Sequence, residues 1–238
     1  MLSYAVYARE RQLLRVRSIS LNQSLEENDN QIQEWIRNDE WLRMDFEQVN
    51  LLWDEARFSI VPAEFANESA TETLTKHLFE TRVKEQIRFS DCGTIKLLYP
   101  IHEQVYYSLR SKFNHAQFEH LAGRLLNWYM DPNIEQDFTV VHHGNSIQIL
   151  FREGDKLQFC QSFLIHNDSE AAYFVLNTME KLGVNREQVT VRTLGIDENG
   201  PLFHMLDDYI RKVKGINIPL PDTLKEAHSL HPFLIAKL

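Results

Sequence analysis

The sequence predicts an α/β fold, with mixed sheets, built as two pseudo-repeated half-domains that each start as a three-strand meander flanked by helices. Three observations predict it. First, Phe138 to Leu194 spells a complete supersecondary unit. Thr139-Val140-Val141 runs into Gly144-Asn145, Ile147 to Phe151 into Gly154-Asp155, and Leu157 to Ile165 completes the meander. After Asn167-Asp168-Ser169 the apolar period changes from that of a strand to that of a helix, and Val189-Thr190-Val191 supplies a further strand. Second, Leu2 to Leu21 repeats the hairpin part of that pattern. Third, Asp131-Pro132-Asn133 is the clearest break in the chain and divides it into halves 1–132 and 133–238.

Taken in order, Leu2 to Tyr7 and Leu13 to Leu21 read as a hairpin turned through the polar Ala8 to Gln12. Asn22 to Asn30 is acidic, a loop or the start of a helix. Ile32, Trp35 and Ile36 then fall at helical spacing, with Trp41 and Leu42 extending that face. Gln48 to Trp53 and Arg57 to Val61 are strands, the second stopped by Pro62, which has no donor for a ladder. Ala70 to Arg82 is a helix with Leu74, Leu78 and Phe79 inward. Arg88 to Ser90 and Ile95 to Tyr99 pair through Asp91-Cys92-Gly93, where glycine supplies a positive φ, and Pro100 ends the pair. His102 to Phe113 is helical, with Val105, Tyr106 and Leu109 inward. Phe118 to Met130 is a helix, or a strand running into one. Beyond the meander and its helix (Ser169 to Leu182) come a helix at Leu202 to Val213 and a last strand at Ile216 to Leu220.

Composition narrows the class. With 43% hydrophobic residues, 25% charged and a net charge of −9, the chain is that of a globular protein. The acid balance argues against a nucleic-acid surface, and Arg9, Arg11, Arg15 and Arg17 read as a solvated strand face. Two well-separated cysteines, Cys92 and Cys160, point to a reduced compartment rather than a disulfide scaffold. No signal-like n-region and h-region opens the sequence, and no apolar run has the length of a membrane helix, so a cytoplasmic location is expected. The absence of a Gly/Ser linker predicts that the halves share an interface.

Sliding the second half back by 144 residues places Leu13 on Leu157, Val16 on Cys160, Ser18 on Ser162 and Ile19 on Phe163. Upstream, Tyr7 falls on Phe151, Val6 on Leu150 and Ala5 on Ile149. A duplication of this kind has a consequence for the first half. The strand Thr139 to His143 finds its counterpart before Met1, so the first half is one strand short and has a sheet edge that needs cover.

Two halves of this pattern resemble the actin-like ATPase or ribonuclease-H-like architecture. The phrases Phe58-Ser59-Ile60-Val61-Pro62-Ala63-Glu64-Phe65, Lys156 to Phe163 and Asp208-Tyr209-Ile210 further resemble an uncharacterised bacterial family of that superfamily, found in Bacteroides and relatives. The resemblance implies phosphate-binding hairpins, each with an acid and a glycine at its tip, and a nucleoside site built on a strand followed by a glycine pair. Here the matching turn is His142-His143-Gly144-Asn145-Ser146, with histidine where the carboxylate belongs. The first half lacks the corresponding strand, and Leu194-Gly195-Ile196-Asp197 is half of a nucleoside motif. Phosphoryl transfer leans on a carboxylate-held Mg²⁺, so no hydrolysis and no cofactor are expected.

The remaining chemistry is sparse. His142 and His143 point to opposite faces of a strand, and His115 and His120 miss the i, i+4 spacing of helical ligands. His228 and His231 have no accompanying Cys or carboxylate cluster. There is no Gly-x-Ser-x-Gly elbow and no phosphate-loop glycine-lysine motif. The expectation is a non-catalytic, degenerate domain that associates with a protein partner or a second copy, without membrane or nucleic acid. The alternative is an ATP-binding protein or ATPase with a rebuilt site, for which His143, Gly144, Asn145, Gly195 and Asp197 are the binding candidates.

Overall fold

The computed structural model describes residues 2–8, 13–19, 25–66, 77–79, 84–132 and 138–216. By packing they form two compact units, residues 1–55 with 61–120, and residues 56–60 with 121 onward.

In the second unit, α3 (Leu121–Tyr129) precedes the meander β8 (Phe138–His143), β9 (Ser146–Glu153) and β10 (Lys156–Leu164). Then follow α4 (Asp168–Lys181), β11 (Val191–Leu194), α5 (Pro201–Asp207) and β12 (Val213–Gly215). The sheet order is β10-β9-β8-β11-β12, with β8 central. β8 pairs antiparallel with β9, Phe138 opposite Phe151, and parallel with β11, Phe138 opposite Val191. Phe138, Val140, Ile149 and Val191 meet Ala171, Val175 and Met179 of α4 and Leu206 of α5, all of them at 0% exposure. Both faces of β9 are covered, and its first seven residues are buried. Its sequence therefore reads as a near-continuous apolar run rather than an alternation.

Helix α4 starts where its sequence says it should. The Asn167 side chain accepts the Glu170 N–H at 2.9 Å, and Glu170 reaches back to accept the His166 N–H at 2.8 Å. The first satisfies a donor that the helix leaves open, and the second ties the residue before the cap to the first turn. Gly183, at φ +67°, then takes the left-handed conformation that ends the helix. Arg152 is buried on β9, and its Nη1 donates to the carbonyls of Tyr129 (2.9 Å) and Asp131 (3.3 Å). A guanidinium thus closes the C-terminal end of α3, where carbonyls otherwise lack donors.

The first unit repeats the element order with an insertion. A hairpin, β1 (Leu2–Tyr7) and β2 (Leu13–Ile19), leads to α1 (Leu25–Asn38) and β3 (Asn50–Trp53). Strands β4 (Ser59–Pro62), β5 (Glu85–Cys92) and β6 (Ile95–His102) form a separate sheet of order β4-β6-β5. Helix α2 (Glu103–Lys112) and β7 (Gln117–His120) follow, β7 lying parallel to β3. Among the described residues β1 pairs only with β2, and β3 only with β7. Where the second unit has one sheet of five strands, the described residues of this unit form two pieces of two strands beside the β4-β6-β5 sheet, and none of these described strands takes the place of β8. Both pieces rest on one helix pair. Leu2 of β1 and Leu51 and Trp53 of β3 pack against Ile32 of α1 and Val105 and Leu109 of α2.

One buried carboxylate ties the hairpin to the end of α1. Asp39 accepts from Tyr4 Oη (3.0 Å to each oxygen), from Arg17 Nη1 (2.8 Å), and from the backbone N–H groups of Trp41 (2.9 Å) and Leu42 (3.2 Å). Burial pushes its pKa up, but the donors from Leu42, Tyr4, Arg17 and Trp41 outweigh this and hold the carboxyl below its ordinary value.

Several boundaries differ from the sequence reading. Pro100 lies inside β6, opposite Ile87, and the strand continues to His102. A proline removes one ladder donor, and its carbonyl still serves, accepting Trp53 Nε1 at 3.1 Å. Phe118 to Met130 resolves into β7 followed by α3. Helix α1 stops at Asn38, and Trp41 and Leu42 lie in the turn that Asp39 organises. Most of the helix expected at Ala70 to Arg82 falls outside the described residues, but Phe79 is buried and Leu78 exposed, opposite to the inward place given to Leu78. The helix after Gly200 ends at Asp207, and the following strand is Val213–Gly215; residues 217–220 are outside the described set. The hairpins also differ from the 144-residue offset by one place. Ala5 pairs with Val16, whereas Ile149 pairs with Gln161, so a gapless match cannot hold for both strands.

Candidate functional site

The C-terminal ends of β8 and β11 lie side by side because those strands are parallel neighbours, Leu194 opposite Val141. In open α/β sheets, ligands commonly sit beyond such carboxyl ends. Two loops leave this edge, the β8–β9 turn at 142–146 and the β11–α5 loop at 195–200.

The β8–β9 turn is tight because Gly144 takes φ +57°. An added Cβ there would meet nothing within 4 Å, so the backbone conformation rather than crowding calls for glycine. Asn145 is fixed through its carbonyl, which accepts the Ile165 N–H at 2.9 Å. His143 is buried, with Nε2 3.4 Å from Ser146 Oγ, so its ring closes back onto the hairpin. In the second loop Gly195 takes φ +80°. Asp197 folds its own loop: Oδ1 accepts the Asn199 N–H at 3.0 Å, and its carbonyl accepts the Gly200 N–H at 2.9 Å. That turn delivers Pro201 to the first position of α5.

The residue that links the two loops is His142, which the sequence reading left out of the binding set. Its Nδ1 lies 3.4 Å from the Gly195 carbonyl. A carbonyl only accepts, so Nδ1 carries the proton of the neutral ring. Burial lowers the His142 pKa, assisted by the neighbouring His143; the Gly195 carbonyl and Asp168 oppose this without prevailing. Its place two residues before the turn glycine was visible in sequence, but its partner Gly195, 53 residues further on, was not.

The sign of the pH effect follows. A histidine whose folded pKa lies below its unfolded value of 6.5 contributes stability that is fully present above that pH and is lost as pH falls through the folded pKa. Melting temperatures of the wild type and His142→Gln are expected to diverge in their response to acidification from neutrality. The variant should lose less on going to mildly acidic pH, and equal losses would remove His142 from this account.

Among the described residues no group of three His, Cys, Asp or Glu side chains is placed to hold a metal ion. No helix among them is long and apolar enough to cross a membrane.

A family model described as "Protein of unknown function (DUF3822)" matches residues 1–213. A crystal structure of a Bacteroides thetaiotaomicron VPI-5482 protein, described as having an actin-like ATPase fold and unknown function, is similar to this chain with a TM-score of 0.80 and 17% identity. The match covers 98% of this chain and 90% of that one. A chain of the PilM-PilN type IV pilus biogenesis complex matches with a TM-score of 0.58 and 11% identity, over 99% of this chain and 92% of its own. No curated protein matches.

Proposed function

We propose, from the premise that the chain belongs to the DUF3822 family and has the actin-like ATPase fold, that it is a non-catalytic, degenerate member of that architecture acting in protein–protein association. The half-domains are 1–132 and 133–238, related by an ancient duplication, and the protein works in the cytoplasm with a protein partner or a second copy. The observation that carries this reading is the bond between His142 and Gly195. It joins the phosphate-type hairpin to the nucleoside-type loop through a neutral imidazole. An actin-like nucleotide site has a carboxylate at that tip to orient Mg²⁺ or water, and phosphoryl transfer depends on such charge control. Asp197, the acid of the second loop, is engaged in its own turn. The occurrence of this fold in a PilM-PilN complex is in keeping with a role in assembly.

The alternative is a nucleotide-binding protein whose site is rebuilt from His143, Gly144, Asn145, Gly195 and Asp197. Gly144 and Gly195, both at positive φ, are what favours it, because such turns present backbone N–H groups to anions. A calorimetric and thermal-shift titration with ATP and Mg²⁺ separates the two. The expected result is no saturable heat and an unchanged melting temperature. Tight binding would overturn the proposal, since ligand at about 100 times its Kd adds about 2.7 kcal/mol of stability.

A further inference from the structure

The first unit holds two guanidinium groups against one phenol. Arg88 lies on β5, and its Nη2 donates to Tyr106 Oη at 2.9 Å, with Cζ 4.5 Å from the centroid of the Tyr106 ring. Arg110 stands one helical turn after Tyr106 on α2, and its Nε donates to the same oxygen at 3.2 Å. Arg110 is fixed a second time, because its Nη1 donates to the carbonyls of Asn114 (3.1 Å) and Ala116 (2.7 Å) in the loop before β7. Tyr106 is itself buried and packs edge-on against Phe118 of β7, with centroids 5.0 Å apart. Two half-buried cations therefore meet within two hydrogen-bond lengths of each other, and among the described residues neither has a carboxylate partner. Like charges this close repel, yet a chain of net charge −9 has placed its acids elsewhere.

We infer that Arg88, Arg110 and Tyr106 form a receptor for a carboxylate, the side chain of an Asp or Glu on an exposed segment of a protein partner. The inference rests on the protein-association reading above and supplies the chemistry of the partner. Arg110 spends its Nε and Nη1 inside the chain and keeps Nη2, whereas Arg88 spends only Nη2 and keeps Nε and Nη1. A phenol oxygen that accepts twice still owns its O–H. The fold has already ordered these groups, so a ligand gains charge-assisted hydrogen bonds without the cost of immobilising loose side chains. The planar fork of a guanidinium matches the two oxygens of a carboxylate. Half-buried, fixed arginines also gain more from such a pair than exposed ones do. Tyr107 supplies the apolar contact beside it. Its side chain is 60% exposed, and its ring lies edge-on to Tyr106 with centroids 5.4 Å apart. An exposed tyrosine next to arginines is the composition that protein interfaces favour.

The test titrates the full chain with the capped peptide Ac-Leu-Glu-Glu-Leu-amide and follows the arginine Nε–H signals by NMR. The expected result is saturable shifts at Arg88 and Arg110 that weaken as salt is added. The neutral peptide Ac-Leu-Gln-Gln-Leu-amide should bind about tenfold more weakly, the equivalent of one charge-assisted hydrogen bond. Arg88→Gln should weaken binding of the glutamate peptide by a similar factor. Inorganic phosphate is the rival occupant, and phosphate that binds more tightly than the glutamate peptide would overturn the inference. So would the absence of saturable shifts, equal affinity for the two peptides, or saturation that leaves the Arg88 and Arg110 signals unmoved. All of these are read on the wild-type chain, so a poorly folded Arg88→Gln leaves the test intact. Failure here leaves the ATP titration untouched, and ATP binding that does not shift Arg88 or Arg110 would remove the non-catalytic reading alone.

Discussion

Phe138→Ala is expected to lower the unfolding free energy of the second unit by about 4 kcal/mol, the largest single-residue effect anticipated in this chain. Phe138 is 0% exposed and sits at the first position of the central strand. Its ring packs on Phe151 at 5.8 Å between centroids, and its backbone is paired on one side with Phe151 and on the other with Val191. Truncation removes the transfer energy of a phenyl group and leaves a void that strands held on both sides cannot close. Urea unfolding followed by near-UV circular dichroism measures the loss. Phe159, on the edge strand β10 and only partly buried, is the internal comparison, and Phe159→Ala should cost less than half as much. Equal costs at the two sites would mean that β8 is not the packing centre of this sheet.

The second large effect is expected at Asp39. Asp39→Ala removes the acceptor for two side-chain donors and two backbone N–H groups in one step, and should destabilise the first unit by about 3 kcal/mol. Arg17 is half exposed, so the ion pair itself contributes modestly; the unsatisfied N–H groups of Trp41 and Leu42 carry more of the cost. Asp39→Asn keeps an oxygen for those two amides and should lose about half as much. The pH dependence has a definite sign. The folded pKa is below the ordinary carboxyl value of 3.8, so this stability is present above pH 4 and is lost as pH falls through the folded pKa. A wild-type chain that shows no extra acid sensitivity relative to Asp39→Ala would contradict the hydrogen-bond account.

Legibility in the sequence followed the physics of each segment. The second-half meander was readable because Gly144 and Gly154, both at positive φ, punctuate runs of Ile, Val and Phe. The start of α4 was readable because Asn167 and Glu170 act locally, over three residues. The reading weakened wherever a long-range contact overrode a local preference. Pro100 ordinarily ends a strand, yet β6 continues past it because Ile101 and His102 keep partners in Gln86 and Glu85. At the candidate site the two glycine turns were visible in advance. The role of His142 was not, since a bond to Gly195 arises only when β11 crosses to lie beside β8.

That crossing also orders events in time. Hairpins β8–β9 and β9–β10 join neighbours in the chain, and can form as soon as they leave the ribosome. The pairing of β8 with β11 waits until the whole meander, α4 and the loop beyond it have been synthesised. Closing so distant a contact is entropically slow, and until it closes β8 is an apolar strand with one bare edge. The nascent chain is therefore most vulnerable to misassociation between the emergence of Phe138 and that of Leu194, the interval in which a chaperone would matter most.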